Sequence, residues 1–116
     1  MMGLLLSISV SSLIHAEVIK LDQYQQKLDQ YIAIVNESKK ILDEPNTQFS
    51  ATEQKQALCD RIQAYRGILD LTQNFPQQES AFMMKFVANS FLDRQKNSFD
   101  QSGMTEQVFC AKPEAQ

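Results

Sequence analysis

Few side chains in this chain are suited to covalent or acid–base chemistry, and their spacing is more informative than their number. Cys59 and Cys110 are the two cysteines, fifty-one positions apart. Disulfide-exchange enzymes use a C-x-x-C pair, in which one thiolate is activated beside the other; this separation offers no such pair. His15 is the single imidazole, and it closes an apolar stretch at the start of the chain. From residue 17 onward there is therefore no histidine general base, no imidazole zinc ligand and no Ser-His-Asp triad. Carboxylates remain, and two suitably placed ones can hydrolyse a glycosidic bond. Candidates such as Asp70 and Asp93 lie on predicted helix faces among Gln and Lys, where a solvated surface is the simpler account. Beyond residue 16 the glycines are Gly67 and Gly103, too sparse for a phosphate-cradling loop. No D-x-D-x-D-G calcium loop occurs, and Asp43-Glu44 before Pro45 reads as an ordinary helix end. Asn36-Glu37-Ser38 matches the glycosylation sequon but falls inside a predicted helix, so chance explains it better. The expectation is a protein that is not an enzyme, with no catalytic residue, no metal site and no cofactor.

The fate of those cysteines and of His15 depends on residues 1–16, MMGLLLSISVSSLIHA. Leu4 to Ile14 is an uncharged, mostly apolar run of eleven residues. A bilayer span needs about twenty, whereas a run of this length suits the apolar core of a secretory signal. Cleavage after Ala16 leaves a small residue at the cut, and the chain turns polar at Glu17. The fit lacks a Lys or Arg at the start and has Ile14 where a small residue is usual. The expected organisation is a signal peptide, 1–16, and a single helical domain, 17–116, delivered to a periplasmic or secreted location. In such an oxidising compartment an even pair of cysteines reads as a disulfide, Cys59–Cys110. Closing a loop of that span stabilises a fold by roughly 4 kcal/mol in the chain-entropy account, a large share for a small domain.

Removing residues 1–16 removes no Lys, Arg, Asp or Glu, so the formal net charge stays at −3. Mild acidity disfavours nucleic acid, which calls for basic patches, and an anionic membrane surface. No membrane association is expected beyond the signal peptide.

The elements that position these residues read as helices. Leu21, Leu28, Val35 and Leu42 recur every seven residues, with Tyr24, Tyr31 and Ser38 three places after the first three. This predicts a first helix from about Leu21 to Asp43. Ile32, Ile34 and Ile41 widen the stripe beyond a coiled-coil seam, which favours one helix of a compact bundle. Lys39 and Lys40 suit its C-terminal end, and Pro45 stops it. Ser50-Ala51-Thr52-Glu53 is a capping-box pattern that opens a second helix. Leu58, Ile62, Tyr65 and Leu69 form its stripe, with Cys59 at the edge and Gly67 inside, favouring an unbroken helix over a break. Pro76 suits the first turn of a third helix, from about Gln77 to Lys96. The chain breaks at Gly103, and a short helix through Thr105 to Cys110 follows. The fold class expected is all-α: a small three- to four-helix antiparallel bundle with one disulfide.

The third helix carries the one feature that points to a partner. Met83, Met84, Val87, Ala88, Phe91 and Leu92 spread over one side, while Phe82 and Phe86 fall on the opposite side. An apolar circumference favours a central helix packed on both faces. The alternative is an aromatic–methionine patch open to a partner, with Phe82, Met83 and Phe86 as contact residues. The leading functional expectation is a non-catalytic binding module acting on another exported protein, one concrete form being an immunity-type inhibitor. The alternatives are an acid- or stress-responsive envelope chaperone and a structural or accessory subunit. Oligomeric state is left open by the sequence.

Overall fold

The computed structural model describes the backbone of residues 2–44 and 48–112, and the side chains of 22–44 and 48–112. Within these residues the chain is all-α, with α1 over Met2–Leu42, α2 over Ala51–Asn74, α3 over Ala81–Ser102 and α4 over Glu106–Phe109. The first helix thus starts at Met2, well before Leu21, and runs on from the expected leader without interruption. The expected cleavage after Ala16 falls where side chains lie outside the described residues. No described helix is long and apolar enough to cross a membrane.

Local chemistry sets most of the helix ends. At the start of α2, Ser50 Oγ accepts from the Glu53 backbone N–H while the Glu53 carboxylate accepts from the Ser50 N–H, so the capping box is formed. α2 then passes through Gly67 unbroken. α3 ends on Gly103 in the left-handed region at φ 75°, with the Met104 N–H donating to the Phe99 carbonyl, a glycine-closed terminus that a side chain at that φ would strain. Thr105 caps α4 by accepting from the Val108 N–H.

α3 begins four residues later than Pro76 suggests. Residues 75–80 form turns, and Ser80 occupies the N-cap position without a side-chain cap bond. Its hydroxyl is taken by a long-range partner, the Tyr24 hydroxyl, at 2.6 Å. Tyr24 is buried and also meets Phe75 with ring centroids 5.7 Å apart. This cluster pins the α2–α3 connection to α1.

The helices are arranged antiparallel. The middle of α1 (Tyr24) meets the C-terminal cap of α2 (Phe75), and late α1 (Ser38) meets the first half of α2 (Arg61). The central helix is α2, not α3: α1 and α3 each pack against it. The expectation of a central third helix is corrected here, and small residues supply the reason. Ala57, Ala64 and Gly67 lie along one side of α2, the two alanines buried, and leave room for a neighbouring helix to approach closely. Gly67 is the extreme case, because a Cβ there would lie 2.3 Å from the Tyr31 ring. Around them Tyr24, Leu28, Ile68, Leu71 and Ala88 form the buried cluster, flanked by Tyr31, Tyr65 and Met84.

One cation ties α1, α2 and α3 together. Arg61 has a side chain only 13% exposed. Its Nε donates to Ser38 Oγ at 2.7 Å, a guanidinium N–H donates to Asp43 at 3.2 Å, and the group lies 5.9 Å from the centre of the Phe91 ring on α3. Ser38 in turn donates to the Val35 carbonyl. Each buried polar atom here has a partner, which a low-dielectric interior demands.

Candidate functional surface

With α2 central, α3 buries one arc and presents the rest to solvent. Ala81, Ala88 and Phe91 are buried, and Met84 and Leu92 are half-buried against α2. Phe91 stacks on Tyr65 at 4.4 Å between centroids. At 100° per residue, Phe82 and Phe86 point away from this arc, with Met83 beside them. Phe82 is 83% exposed, Phe86 64% and Met83 61%, and Val87 is exposed as well. The structure brings the three predicted contact residues together and adds Val87, which the sequence reading had placed on the core side along with Met83. Both were misplaced because the contact with α2 is narrower than the apolar arc of the sequence.

The four side chains form two adjacent ridges, Phe82–Phe86 and Met83–Val87, each one turn long. At about 150–250 Å² per large aromatic side chain, the patch exposes roughly 450 Å². Monomers seldom expose a contiguous apolar patch beyond about 300–600 Å², and the largest is often functional. The surface is convex, a ridge with no walls. Lys85 is the one charged residue between Ala81 and Val87, at the positive end of the helix dipole. The next acid along α3 is Asp93. Beside Phe82, a shallow cleft of about 310 Å³ is lined by Thr72, Pro76 and Lys85.

A second recess lies at the other end of α3, between its last turns and α4. This cleft of about 330 Å³ has Leu92, Phe99 and Met104 among its apolar lining and Asp93, Lys96 and Asp100 among its charged lining. Its far wall is the tail, which is held on α2 by few contacts. The Cys59–Cys110 disulfide is present, as the cysteine pair predicts, with S–S 2.06 Å. Arg66 donates two hydrogen bonds to the Glu106 carboxylate. Phe99 and Phe109 meet at 5.5 Å, and Lys55 lies 5.4 Å from the centre of the Phe109 ring. α4 itself has no buried residue. The Arg66 guanidinium is held above its ordinary value, chiefly by the hydrogen bonds to Glu106; partial burial opposes this and the attraction of the two charges adds to it. Because the folded pKa is raised, the pair's contribution would be lost only on raising the pH through that value, so Arg66 stays charged across the physiological range.

Asp70 and Asp93 are both exposed, on α2 and α3 respectively. No group of three or more His, Cys, Asp or Glu capable of holding a metal ion occurs among the described residues. Asn36 is exposed in mid-helix, and Ser38, the third residue of the sequon, is buried and hydrogen-bonded. The disulfide fits an oxidising compartment. Compared with protein-family models, curated proteins and solved structures, the chain matches none.

Proposed function

We propose that this chain is a non-catalytic binding module that is exported to the periplasm or secreted and recognises another exported protein through the first two turns of α3. The observation that carries the reading is the exposure of Phe82, Met83 and Phe86 on the side of α3 away from its packed face, with Val87 exposed at the margin of that patch. Leaving such side chains in water forgoes roughly 1.5–3 kcal/mol each of burial, an arrangement that suits a surface covered by something else. A convex helix with anchors at i and i+4 docks into a groove and does not form one. The partner is accordingly a protein with a concave apolar surface and an acidic rim facing Lys85. An inhibitor of the immunity type, which blocks a delivered toxin by filling such a groove, is the concrete form of this reading.

The test compares wild type with Phe86→Ser and Phe82→Ser. Wild type should retain a partner from envelope extract that mass spectrometry identifies and that rebinds in purified form. Both variants should lose that partner while keeping the melting temperature within a few degrees, since neither side chain is packed. Retention by both variants, or their unfolding, would sink the proposal.

The composition of the patch favours one second reading. Phenylalanine and methionine adapt to many surfaces, as an envelope chaperone for unfolded clients requires. In that case protection of a client from aggregation should rise as carboxylates protonate near pH 2 to 3 and the packing loosens. A rigid fold at that pH with no protection eliminates it.

A further inference from the structure

The two surface features of α3 are complementary to each other. At its start stands a convex apolar ridge, Phe82 to Val87, whose one charge is Lys85. At its end lies a concave cleft with Leu92, Phe99 and Met104 in its lining, and with Asp93 and Asp100 against the single Lys96. The Arg66 and Glu106 charges at the same cleft are engaged with each other. The ridge is therefore positive and the cleft negative by one formal charge each.

From this geometry we infer that the occupant of the α3 ridge includes a second copy of this chain, which receives Phe82 and Phe86 in its α3–α4 cleft. The inference rests on the reading of the ridge as a recognition surface, and it names a partner for it. A cleft of about 330 Å³ lies at the small end of ligand-sized pockets and accepts one or two aromatic side chains. Ridge and cleft lie at opposite ends of one helix, so two arrangements use both: a chain in which each copy offers a ridge to one neighbour and a cleft to another, and a two-fold dimer in which antiparallel α3 helices exchange both contacts. One ridge-in-cleft contact built on about 450 Å² of ridge falls below the roughly 1,200 Å² of a stable complex, so the open chain is weak and a tighter partner displaces it. Self-association then shields the aromatic ridge until that partner arrives.

Two variants with exposed substitutions test this, Phe86→Ser on the ridge and Met104→Lys in the cleft. The oxidised protein is followed by sedimentation and light scattering between about 10 µM and 1 mM. For wild type, the average mass should climb with concentration to that of a dimer or beyond. Each variant alone should stay monomeric, with wild-type helicity and melting temperature. Mixed one to one, they should form a species of twice the monomer mass and nothing larger, because one intact ridge meets one intact cleft. Lys85→Glu should weaken the wild-type assembly, and adding Asp93→Lys in the second copy should restore it. A wild type that stays monomeric to 1 mM overturns the inference while leaving capture of a different protein by the ridge intact. Self-association of Met104→Lys on its own overturns it in favour of a symmetric ridge-to-ridge contact. If Phe86→Ser alters neither self-association nor capture, the recognition reading fails with it.

Discussion

Replacing Gly67 by alanine tests the packing of the central helix, because two known effects oppose each other there. In an exposed helix interior the change should stabilise by about 1 kcal/mol, since glycine is a poor helix former. In this fold the added Cβ would stand 2.3, 2.4 and 2.8 Å from three atoms at the far end of the Tyr31 ring. None of those distances is tolerable, so the ring must swing from its place against the core. Overpacking of this kind costs about 1–3 kcal/mol, leaving a net loss of about 1 kcal/mol after the propensity gain. The Tyr31→Leu background isolates the clash, because leucine keeps the apolar volume near the backbone and lacks the three ring atoms in question. There Gly67→Ala should recover its stabilisation of about 1 kcal/mol. The coupling energy across the double-mutant cycle is then about 2 kcal/mol, well above the ~0.5 kcal/mol scatter of independent sites. Urea denaturation followed by far-UV circular dichroism measures all four proteins, and each kcal/mol corresponds to about 4–8 °C in melting temperature for a domain of this size. Equal stabilisation by Gly67→Ala in both backgrounds would refute the argument that Tyr31 requires a bare Cα.

Three further outcomes follow from named contacts. Arg61→Lys should destabilise by about 1–3 kcal/mol despite keeping the charge, because an ammonium cannot hold Ser38 and Asp43 in the fixed fork of a guanidinium while lying over Phe91; thermal unfolding reads it, and a neutral result would assign Arg61 to the solvated surface. Ser80→Ala should cost about 1 kcal/mol by leaving the buried Tyr24 hydroxyl without its partner, and adding Tyr24→Phe should recover most of that loss; further loss in the double variant would mean that the hydroxyl pair matters little. Reduction of Cys59–Cys110 should lower stability by up to about 4 kcal/mol, the loop-closure value for this span. Amide exchange should then rise first in α4, which buries no side chain of its own, while α2 stays protected; uniform loss of protection would show instead that the tail is integral to the core.

What could be read directly from the sequence was chemistry that acts over a few residues or by elimination. Ser50 and Glu53 satisfy each other across one turn, and Gly103 supplies the left-handed residue that closes α3. Two cysteines leave one possible intramolecular pairing, so the disulfide partners needed no coordinates. The heptad stripe of Tyr24, Leu28, Tyr31, Val35 and Ser38 marked the packed face of α1 for the same local reason, that a helix repeats its faces at a fixed angle.

Tertiary structure decided which helix lies at the centre. Counting large apolar side chains favours α3, yet helices pack closely where side chains are small, and Ala57, Ala64 and Gly67 place that property on α2. At the start of α3 the Ser80 hydroxyl, in the N-cap position, is bonded to Tyr24, fifty-six positions away, and so leaves the helix without a side-chain cap. Arg61 gave no sign in sequence of being a three-helix tie, because its partners lie on separate helices. The outward ridge of Phe82, Met83, Phe86 and Val87 follows from the same fact. Once α2 takes the central place, the first half of α3 has one neighbour to pack against, and its remaining apolar face is left to solvent.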